Sequence, residues 1–279
     1  MMSVASIMKL KDIHKSFGNV DALKGVSISI NKGECHCLLG DNGAGKSTFI
    51  KIMSGVHQPT TGQISINGKD TVINNPRDAI DSGIATVYQD LALIPLMSVS
   101  RNFWLGRELT KKVGPITVMD FEKCNSILMT EMDKIGIQLR DPNQSIGTLS
   151  GGERQTVAIA RAVFFGAKIL ILDEPTSALG VYQTSNVLKT IEKVREKGVA
   201  VVFISHNVSH ALAVGDKFTV LSRGETLGTA LSGEINFEEL QSMMSGHKEL
   251  SELKNKKYYE NMFNWCGSNR HSSCYCNSK

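Results

Sequence analysis

One glycine-rich octapeptide constrains the fold of this chain more than any other feature. Gly40-Asp-Asn-Gly-Ala-Gly-Lys-Ser47 matches the pattern G-x-x-x-x-G-K-[ST]. Glycines at these positions let backbone N–H groups turn toward an anion without a Cβ in the way. The apolar run Cys35–Leu39 precedes the motif, and a helical pattern from Lys46 to about Met53 follows it. This order predicts a phosphate-binding loop, with the N-terminus of the helix directed at the same anion.

The residues of this loop have separate expected roles. Lys46 is expected to reach the β- and γ-phosphates of a nucleotide, and the Ser47 hydroxyl to be a ligand for Mg²⁺. The alternative, a flexible glycine turn, is disfavoured because a strand and a helix flank the motif. The other predicted nucleotide-binding positions in this segment are Gly40, Asp41, Asn42, Gly43, Ala44, Gly45 and Thr48.

Two carboxylates follow a second apolar run. Ile169–Leu172 leads directly into Asp173 and Glu174. A carboxylate at the C-terminal end of a strand beside a phosphate loop can hold Mg²⁺, directly or through water, which predicts Asp173 as a metal ligand. Glu174, one residue further, is placed to polarise an attacking water as general base. The alternative is an ordinary acidic turn after a strand, and the phosphate loop in the same chain disfavours it.

A second predicted anion site begins at Ser150, within Leu149-Ser-Gly-Gly-Glu-Arg-Gln155. The Ser150 hydroxyl and the amides of Gly151 and Gly152 stand at the start of a predicted helix. Two phosphate-facing helix N-termini in one chain are explained most simply by two copies packed face to face, with each nucleotide between them. A serine N-cap with a capping box also describes the local structure, but it does not account for the two adjacent glycines.

The order of the predicted elements indicates an α/β fold. Lys168–Leu172, Ala200–Ile204 and Phe218–Leu221 are apolar runs, separated by helical patterns at Val181–Lys197 and His206–Val214. Such βαβα order predicts a parallel sheet that is buried on both faces.

The segments before and after these runs differ in character. Alternation over Val26–Ile30 and a short run between Gly62 and Gly68 predict antiparallel β structure around the phosphate loop. From about Gln89 to Ser150 the pattern is helix-rich and shows no clear strand. We therefore expect a nucleotide-binding cassette over 1–246, with a helical subdomain at about 90–165. A polar, poorly ordered tail is expected over 247–279.

Composition excludes several classes of protein. With 279 residues, 41% of them hydrophobic, the chain can bury a core without disulfides or metals. No stretch approaches the roughly 18 apolar residues of a membrane span, and the N-terminus lacks the apolar core of a signal peptide, so the chain is expected to be cytosolic. The net charge of +4 is too small to argue for nucleic-acid binding.

The six cysteines divide into two groups. Cys35, Cys37 and Cys124 lie in apolar or helical patterns and are expected to be small buried hydrophobes. The tail cluster, which contains Cys266, His271, Cys274 and Cys276, offers four ligands of the kind Zn²⁺ takes. Its single residue between the last two cysteines is fewer than zinc sites usually have. A solvated tail with reactive thiols is therefore the favoured interpretation.

With these motifs in this order, the chain resembles the ATP-binding cassette (ABC) family over about Met8–Gly246. The resemblance implies an ABC cassette of the P-loop NTPase fold: a RecA-like, mostly parallel sheet core, an antiparallel β subdomain and an α-helical signature subdomain. Gln89 looks like the Q-loop glutamine that touches Mg²⁺ and water, and His206 looks like the switch histidine at the γ-phosphate. Phe17 stands where the family stacks an aromatic ring on adenine. The implied catalytic residues are Glu174, His206 and Gln89, and the implied metal ligands are Ser47, Gln89 and Asp173.

A narrower resemblance, to the ATPases of bacterial monosaccharide importers, rests on three segments. These are Gly40-Asp-Asn-Gly, Gln58-Pro-Thr-Thr-Gly-Gln-Ile and Glu174-Pro-Thr-Ser-Ala-Leu-Gly-Val. The chain is similar to the members that have a single cassette. The resemblance implies ATP and Mg²⁺ as cofactors, and a second copy of the chain in an ATP-sandwich dimer. It also implies membrane permease subunits, indirectly an extracytoplasmic sugar-binding protein, no nucleic acid, and a peripheral position at the cytoplasmic face of the membrane.

One position departs from the family. In the family, the short segment that follows the residue matching Glu174 is called the D-loop and usually contains Ser-Ala-Leu-Asp. Here Gly180 takes the place of the carboxylate. Two other functions stay open at this point: a soluble ABC ATPase that acts on DNA or ribosomes, and a nucleotide-binding protein without hydrolysis. The absence of sustained heptads and of metal-spaced cysteine pairs in the cassette argues against the first. The presence of both Glu174 and His206 argues against the second.

The apolar stretch after Gln89 is predicted to face the permease. Leu91, Leu93, Ile94, Leu96 and Met97 make this segment unusually apolar for a linker. The alternative is that these side chains pack into the core of the helical segment.

Overall fold

A six-stranded sheet forms the centre of the protein, for which a computed structural model describes residues 6–137 and 139–245. Five of its strands run parallel, and the edge strand β12 pairs antiparallel with β11. Numbered in chain order, the strands lie side by side as β12 (Glu225–Leu231), β11 (Lys217–Ser222), β3 (Cys35–Leu39), β10 (Ala200–Ser205), β9 (Ile169–Asp173) and β6 (Ile84–Val87). The predicted parallel sheet is therefore confirmed.

An antiparallel sheet lies beside the phosphate loop, as predicted. Its strand order is β2-β1-β4-β5. Its strands are β1 (Ser6–Phe17), β2 (Val20–Asn31), β4 (Thr61–Ile66) and β5 (Lys69–Asp70). Buried aliphatic side chains of β1, β2 and β4 form one hydrophobic cluster with α1 and with one face of the central sheet.

Helices cover the central sheet and form most of the segment between β6 and β9. None of the helices in the described ranges is long and apolar enough to cross a membrane. The helices are α1 (Lys46–Met53), α2 (Pro76–Asp81), α3 (Val99–Trp104), α4 (Phe121–Lys134), α5 (Gly151–Phe164), α6 (Val181–Glu196), α7 (Val208–Val214) and α8 (Phe237–Met244), with a 3₁₀ turn at Ile146–Thr148.

The segment that was predicted to lack strands contains a β-hairpin. Strands β7 (Thr110–Val113) and β8 (Ile116–Met119) pair antiparallel through a two-residue turn. Gly114 takes a φ of 61° at the first turn position, the left-handed conformation that a two-residue hairpin turn needs there. The prediction was wrong because the strands are only four residues long and mostly exposed, so they leave no buried alternation.

A separate hydrophobic cluster holds the helical segment together. Phe103 and Trp104 of α3 pack against Phe164 and Phe165 with ring centroids 5.3–5.8 Å apart. The Trp104 indole N–H donates to the Cys124 carbonyl at 3.0 Å, which satisfies the buried polar atom. Cys124, like Cys35 and Cys37, is free and buried, as predicted. The tail cluster around Cys266 and Cys276 lies outside the described residues.

A buried acid–base pair lies at the start of β3. His36 is fully buried, with Nε2 2.8 Å from Thr219 Oγ1 and Nδ1 3.4 Å from Glu34 Oε1. Burial raises the pKa of Glu34, but His36, Lys217 and a hydrogen bond from Asn31 lower it by more. The pKa of Glu34 therefore lies below its ordinary value in the folded protein.

Glu34 should stabilise the fold near neutral pH and cease to do so in acid. Because its pKa is lower in the folded state than in the unfolded state, unfolding takes up a proton as the pH falls below the ordinary value of 4.5. In urea titrations from about pH 7 to about pH 3.5, the difference in unfolding free energy between wild type and Glu34→Gln should shrink with falling pH. The exposed control Glu225→Gln should show no such trend, and a constant difference for Glu34→Gln would refute the assignment.

Candidate active site

The phosphate loop joins β3 to α1 and is organised around one lysine. Lys46 is 8% exposed, and its ammonium donates to the carbonyl of Gly40 at 2.6 Å and to that of Asp41 at 3.1 Å. These contacts place the ammonium inside the loop, where it would meet a bound phosphate. Ser47 and Thr48 follow on the first turn of α1, and Ser47 is exposed.

Close backbone approach requires glycine at two positions of the loop. Gly40 has a φ of 154°, and a Cβ there would lie 2.5 Å from the Leu221 carbonyl oxygen. Gly45 has a φ of 103°, and a Cβ there would lie 2.9 Å from the Ala22 carbonyl oxygen. The loop thus packs tightly against both sheets, and a side chain at either position would clash with backbone.

The charge of Lys46 depends on its acidic neighbours. Burial lowers the pKa of Lys46, while Glu174, Asp41 and Asp173 raise it in part, and the net shift is downward. Asp173 is the last residue of β9 and Glu174 follows it, while the phosphate loop follows β3. Because β3, β10 and β9 run parallel, the two motifs lie at the same edge of the sheet, with β10 between them.

The two carboxylates differ in environment. Asp173 ends β9 and is partly buried; burial and its neighbour Glu174 raise its pKa, whereas Lys46 and Lys51 lower it, with a net upward shift. Glu174 has a φ of 49°, which is uncommon for a residue with a side chain. This conformation is typical of residues held in place by a functional site.

His206 and Glu174 are brought together by the ends of two neighbouring strands. His206 follows β10, and its Nδ1 donates to Glu174 Oε1 at 2.9 Å. Ser205 Oγ donates to the other carboxylate oxygen at 3.4 Å. The Glu174 side chain is 14% exposed and that of His206 58% exposed, so the histidine covers the carboxylate from the solvent side. Sequence reasoning missed Ser205, since a serine at a strand end has no distinctive signal.

A second contact between the same two segments was also missed. His210 Nδ1 lies 2.9 Å from Thr176 Oγ1, at hydrogen-bond distance. Burial lowers the pKa of His210 and nearby His206 lowers it further, which favours the neutral ring. Glu174 and Thr176 therefore tie the end of β9 to two neighbouring points, the end of β10 and the first turn of α7.

Gln89 and Phe17 have no described contact with Lys46, Asp173 or Glu174. Gln89 follows β6, which pairs in parallel with β9, so its position is at the same sheet edge as Asp173. Phe17 ends β1 with 45% of its surface exposed, an edge-on contact to His57 and the Lys15 ammonium 5.0 Å from its ring centre. The ring is therefore exposed and not part of the core.

The motif at Ser150 forms the capping box that the sequence indicated. Ser150 Oγ accepts from the Glu153 amide at 3.3 Å, and the Glu153 carboxylate accepts from the Ser150 amide at 2.7 Å. The two glycines have a packing reason that the sequence pattern did not indicate. A Cβ at Gly152 would lie 2.9 Å from Gln183 Cβ on α6, and one at Gly151 would lie 2.8 Å from Leu179.

The Ser150 motif is not brought to the phosphate loop of its own chain by any described contact. Ser150 and Gly152 instead border a polar cleft of about 710 Å³, which the first turn of α6 closes at Tyr182. Of the predicted site residues, the structure thus brings together Lys46, Asp173, Glu174 and His206, and it leaves the Ser150 motif on another part of the surface.

An apolar groove of about 380 Å³ lies between the central sheet and the helical segment. Leu91 and Leu93 line it together with residues of β6 and α5. Leu96 is 94% exposed and Ile94 43% exposed. The Asn102 side chain fixes this segment, because it accepts from the Ile94 amide at 2.8 Å and donates to the Ile94 and Met97 carbonyls.

Known proteins with similar sequences are named as import ATP-binding proteins. A family model described as ABC transporter matches residues 23–177. The chain is 44% identical over 242 residues to the xylose/arabinose import ATP-binding protein XylG of Sulfolobus acidocaldarius, across 87% of this chain and 95% of that protein. It is 38% identical over 250 residues to the ribose import ATP-binding protein RbsA of Bacillus subtilis, across 90% of this chain. The chain spans only 50% of the length of that ribose protein.

Solved structures share the fold. An ATP-binding cassette of an ABC transporter in its ADP conformation is similar with a TM-score of 0.73 and 25% identity, over 88% of this chain and 97% of that one. A dimeric cassette in a post-hydrolysis state, bound to ADP and Pi, is similar with a TM-score of 0.67 and 27% identity, over 82% of this chain and 100% of that one.

Proposed function

The chain belongs to the ABC transporter family, and from that premise we propose that it hydrolyses ATP to drive monosaccharide import through a separate membrane permease. The observation that carries hydrolysis is the Glu174 carboxylate, held by His206 at a strand end near the phosphate-loop lysine. The names of the relatives, which are import proteins for xylose/arabinose and ribose, support a sugar as the cargo and favour transport over action on DNA or ribosomes.

Binding of the triphosphate is assigned to the phosphate loop and the first turn of α1. The Lys46 ammonium neutralises the β- and γ-phosphates, and backbone amides of residues 40–48 donate to their oxygens. Phe17 offers an exposed ring for stacking against adenine. Gly40 and Gly45 let the loop lie close to the backbone of both sheets, where a side chain would not fit.

Hydrolysis is assigned to Glu174 and His206. Glu174 takes a proton from the attacking water, which then attacks the γ-phosphorus. His206 fixes the carboxylate through the 2.9 Å hydrogen bond from Nδ1. With a proton on both ring nitrogens, its Nε2–H can donate to a γ-phosphate oxygen as well. This division of roles opposes the alternative of nucleotide binding without hydrolysis.

The oxygen donors near the loop fit Mg²⁺. A hydroxyl (Ser47), a carboxylate (Asp173) and an amide oxygen (Gln89) are hard ligands of the type this ion takes in nucleotide sites. When bound, the ion neutralises charge on the β- and γ-phosphates. Burial and Glu174 raise the pKa of Asp173, so a nearby cation would help to keep its carboxylate ionised.

The working unit is proposed to be a dimer. The Ser150 motif is a helix N-terminus that its own phosphate loop does not use, and it is available to the nucleotide of a second copy. The dimeric cassette bound to ADP and Pi supports this arrangement. MgATP held between two copies would favour the closed dimer, and hydrolysis would release it.

The permease is proposed to dock in the apolar groove. Leu91 and Leu93 line it, as do Tyr88 and Asp90, the chain neighbours of Gln89. An exposed groove of this kind accepts an amphipathic helix, whose anchors lie on one face. A cassette docked in this way would lie peripherally at the cytoplasmic face of the membrane, and a binding protein would deliver the sugar to the permease from the other side.

Sugar uptake by cells tests the proposed function. Cells that lack this chain should lose uptake of at least one labelled monosaccharide among xylose, arabinose and ribose, and the wild-type chain should restore it. The Glu174→Gln variant should not restore it, because uptake against a gradient requires turnover. Undiminished uptake of all three sugars in the deleted strain would contradict sugar import.

Leu93→Asp should prevent transport while ATP binding persists. A carboxylate in the groove must either lose its hydration or keep the permease helix out, and both outcomes weaken docking. We expect co-purification with the permease to fall by at least about tenfold, which corresponds to roughly 1.4 kcal/mol. Leu227→Asp, a change of the same type on the half-exposed face of β12, is the matched control. Equal recovery of permease with both variants would place the docking surface elsewhere.

A further inference from the structure

No packing contact among the described residues requires a glycine at position 180. Gly180 is the N-cap of α6, with a φ of −68° and a ψ of 162°, an extended conformation that any residue adopts. A Cβ built there meets no atom of the described ranges within 4 Å. The fold would therefore accept the carboxylate that the ABC family usually has at this position. A glycine at an exposed position with no packing constraint is consistent with the close approach of another molecule to the backbone.

The residues that follow Gly180 expose apolar surface. Val181 is 91% exposed and Tyr182 is 78% exposed, on the first turn of α6. From Pro175 to Leu188 the chain carries no charged side chain, although 21% of its residues are charged. We call Gly180, Val181 and Tyr182 the α6 apolar turn. A protruding, uncharged turn of this kind indicates a protein contact.

A partly apolar hollow lies directly beside this turn. It measures about 450 Å³ between α6 and α7, and Val181 forms part of its lining. Leu179, Leu188 and Ala213 supply the rest of its apolar lining, and Lys189, Glu192 and His210 line its polar part. A protrusion and a hollow side by side on one surface are self-complementary, because in a two-fold pair each protrusion can enter the hollow of the other copy.

The same turn continues into the surface assigned to the ATP-dependent dimer. Tyr182 borders the cleft that Ser150 and Gly152 line, and Leu179 packs on Gly151. The face that would meet the nucleotide of a second copy thus runs without a break into the α6 apolar turn. The occupant that fits this continuity is a second copy of the chain.

We propose that Val181 and Tyr182 form an apolar contact with a second copy of the chain, in place of a contact made by a carboxylate at position 180. A carboxylate at 180 would have to lose its hydration beside this apolar contact. The glycine avoids that cost and lets the backbones approach, and the two exposed side chains supply buried apolar area. The proposal rests on the proposed function, because it concerns the ATP-dependent dimer.

The test measures dimerisation of the full chain in MgATP by sedimentation. All variants carry Glu174→Gln, so that hydrolysis does not dissociate the dimer. Val181→Asp should raise the dimer dissociation constant by at least about tenfold, since the interface must either bury a charge or separate at this point. Val181→Leu should keep it within about twofold of the parent. Val72→Asp, at a position 72% exposed and distant in sequence from this surface, is the matched control and should have no effect.

Gly180→Asp provides an independent arm. It restores the family's carboxylate, fits the fold, and should weaken the dimer if an apolar contact has replaced the acidic one. A tighter dimer with Gly180→Asp, or an unchanged dissociation constant with Val181→Asp, would overturn this inference and leave the proposed function intact. If the Glu174→Gln parent itself does not dimerise in MgATP, the sandwich dimer and this contact both fail. ADP binding by each variant checks that it is folded.

Discussion

Glu174→Gln should lower steady-state ATP turnover by about 10²–10⁴-fold while ATP still binds. Glutamine has the size and shape of glutamate, and its amide oxygen can still accept the hydrogen bond from His206 Nδ1. What it loses is the ability to take a proton from the attacking water. The chemical step should therefore fail while the geometry of the site is kept.

The trapped state gives this prediction a second readout. If hydrolysis opens the dimer, the variant should accumulate as an ATP-bound dimer that sizing chromatography detects. Glu196→Gln, an exposed carboxylate on α6, is the matched control and should keep wild-type turnover. Near-normal turnover of the Glu174 variant would mean that another group activates the water.

Lys46→Ala should weaken ATP binding by about 10- to 100-fold. A hydrogen bond to a charged group contributes roughly 1.5–3 kcal/mol, and 1.4 kcal/mol is a factor of ten in affinity. The lysine also donates hydrogen bonds to the Gly40 and Asp41 carbonyls, so its removal loosens the phosphate loop as well as removing a charge. Calorimetric titration with ATP measures the loss directly.

A lysine on the same helix supplies the control for this variant. Lys51 is exposed and lies one and a half turns further along α1. Lys51→Ala should bind ATP within about threefold of the wild type, since exposed charges interact weakly at this range. Equal affinities of the two variants would show that the loop is not the phosphate site.

The parallel sheet and the phosphate loop were predictable because both have strong local patterns. The runs at β9, β10 and β11 are continuously apolar, as strands buried on both faces must be, and their predicted bounds differ from the observed ones by at most one residue. The loop was predictable because its glycines and lysine are few, fixed in spacing, and necessary for the shape.

Pairings between distant segments were not predictable. Nothing in the sequence links Thr176 to His210 or Ser205 to Glu174, because these contacts arise only where β9 and β10 end side by side. The β7–β8 hairpin was missed for a different reason: its strands bury little, so no hydrophobic alternation marks them. The adjacent glycines Gly151 and Gly152 were interpreted as an anion site alone, whereas the approach of α6 also requires Gly152 to be small.

The placement of catalytic groups at the ends of fully buried strands has a consequence for local opening. Backbone hydrogen bonds of β3, β9 and β10 break only when the central sheet itself opens, so their amides should exchange with solvent by global unfolding. The segment after Gln89 and the α6 apolar turn expose most of their surface and can open at far lower free energy. The catalytic groups therefore lie at the ends of the strands whose amides should exchange most slowly. The surfaces proposed to bind partners lie in segments that can open at lower free energy.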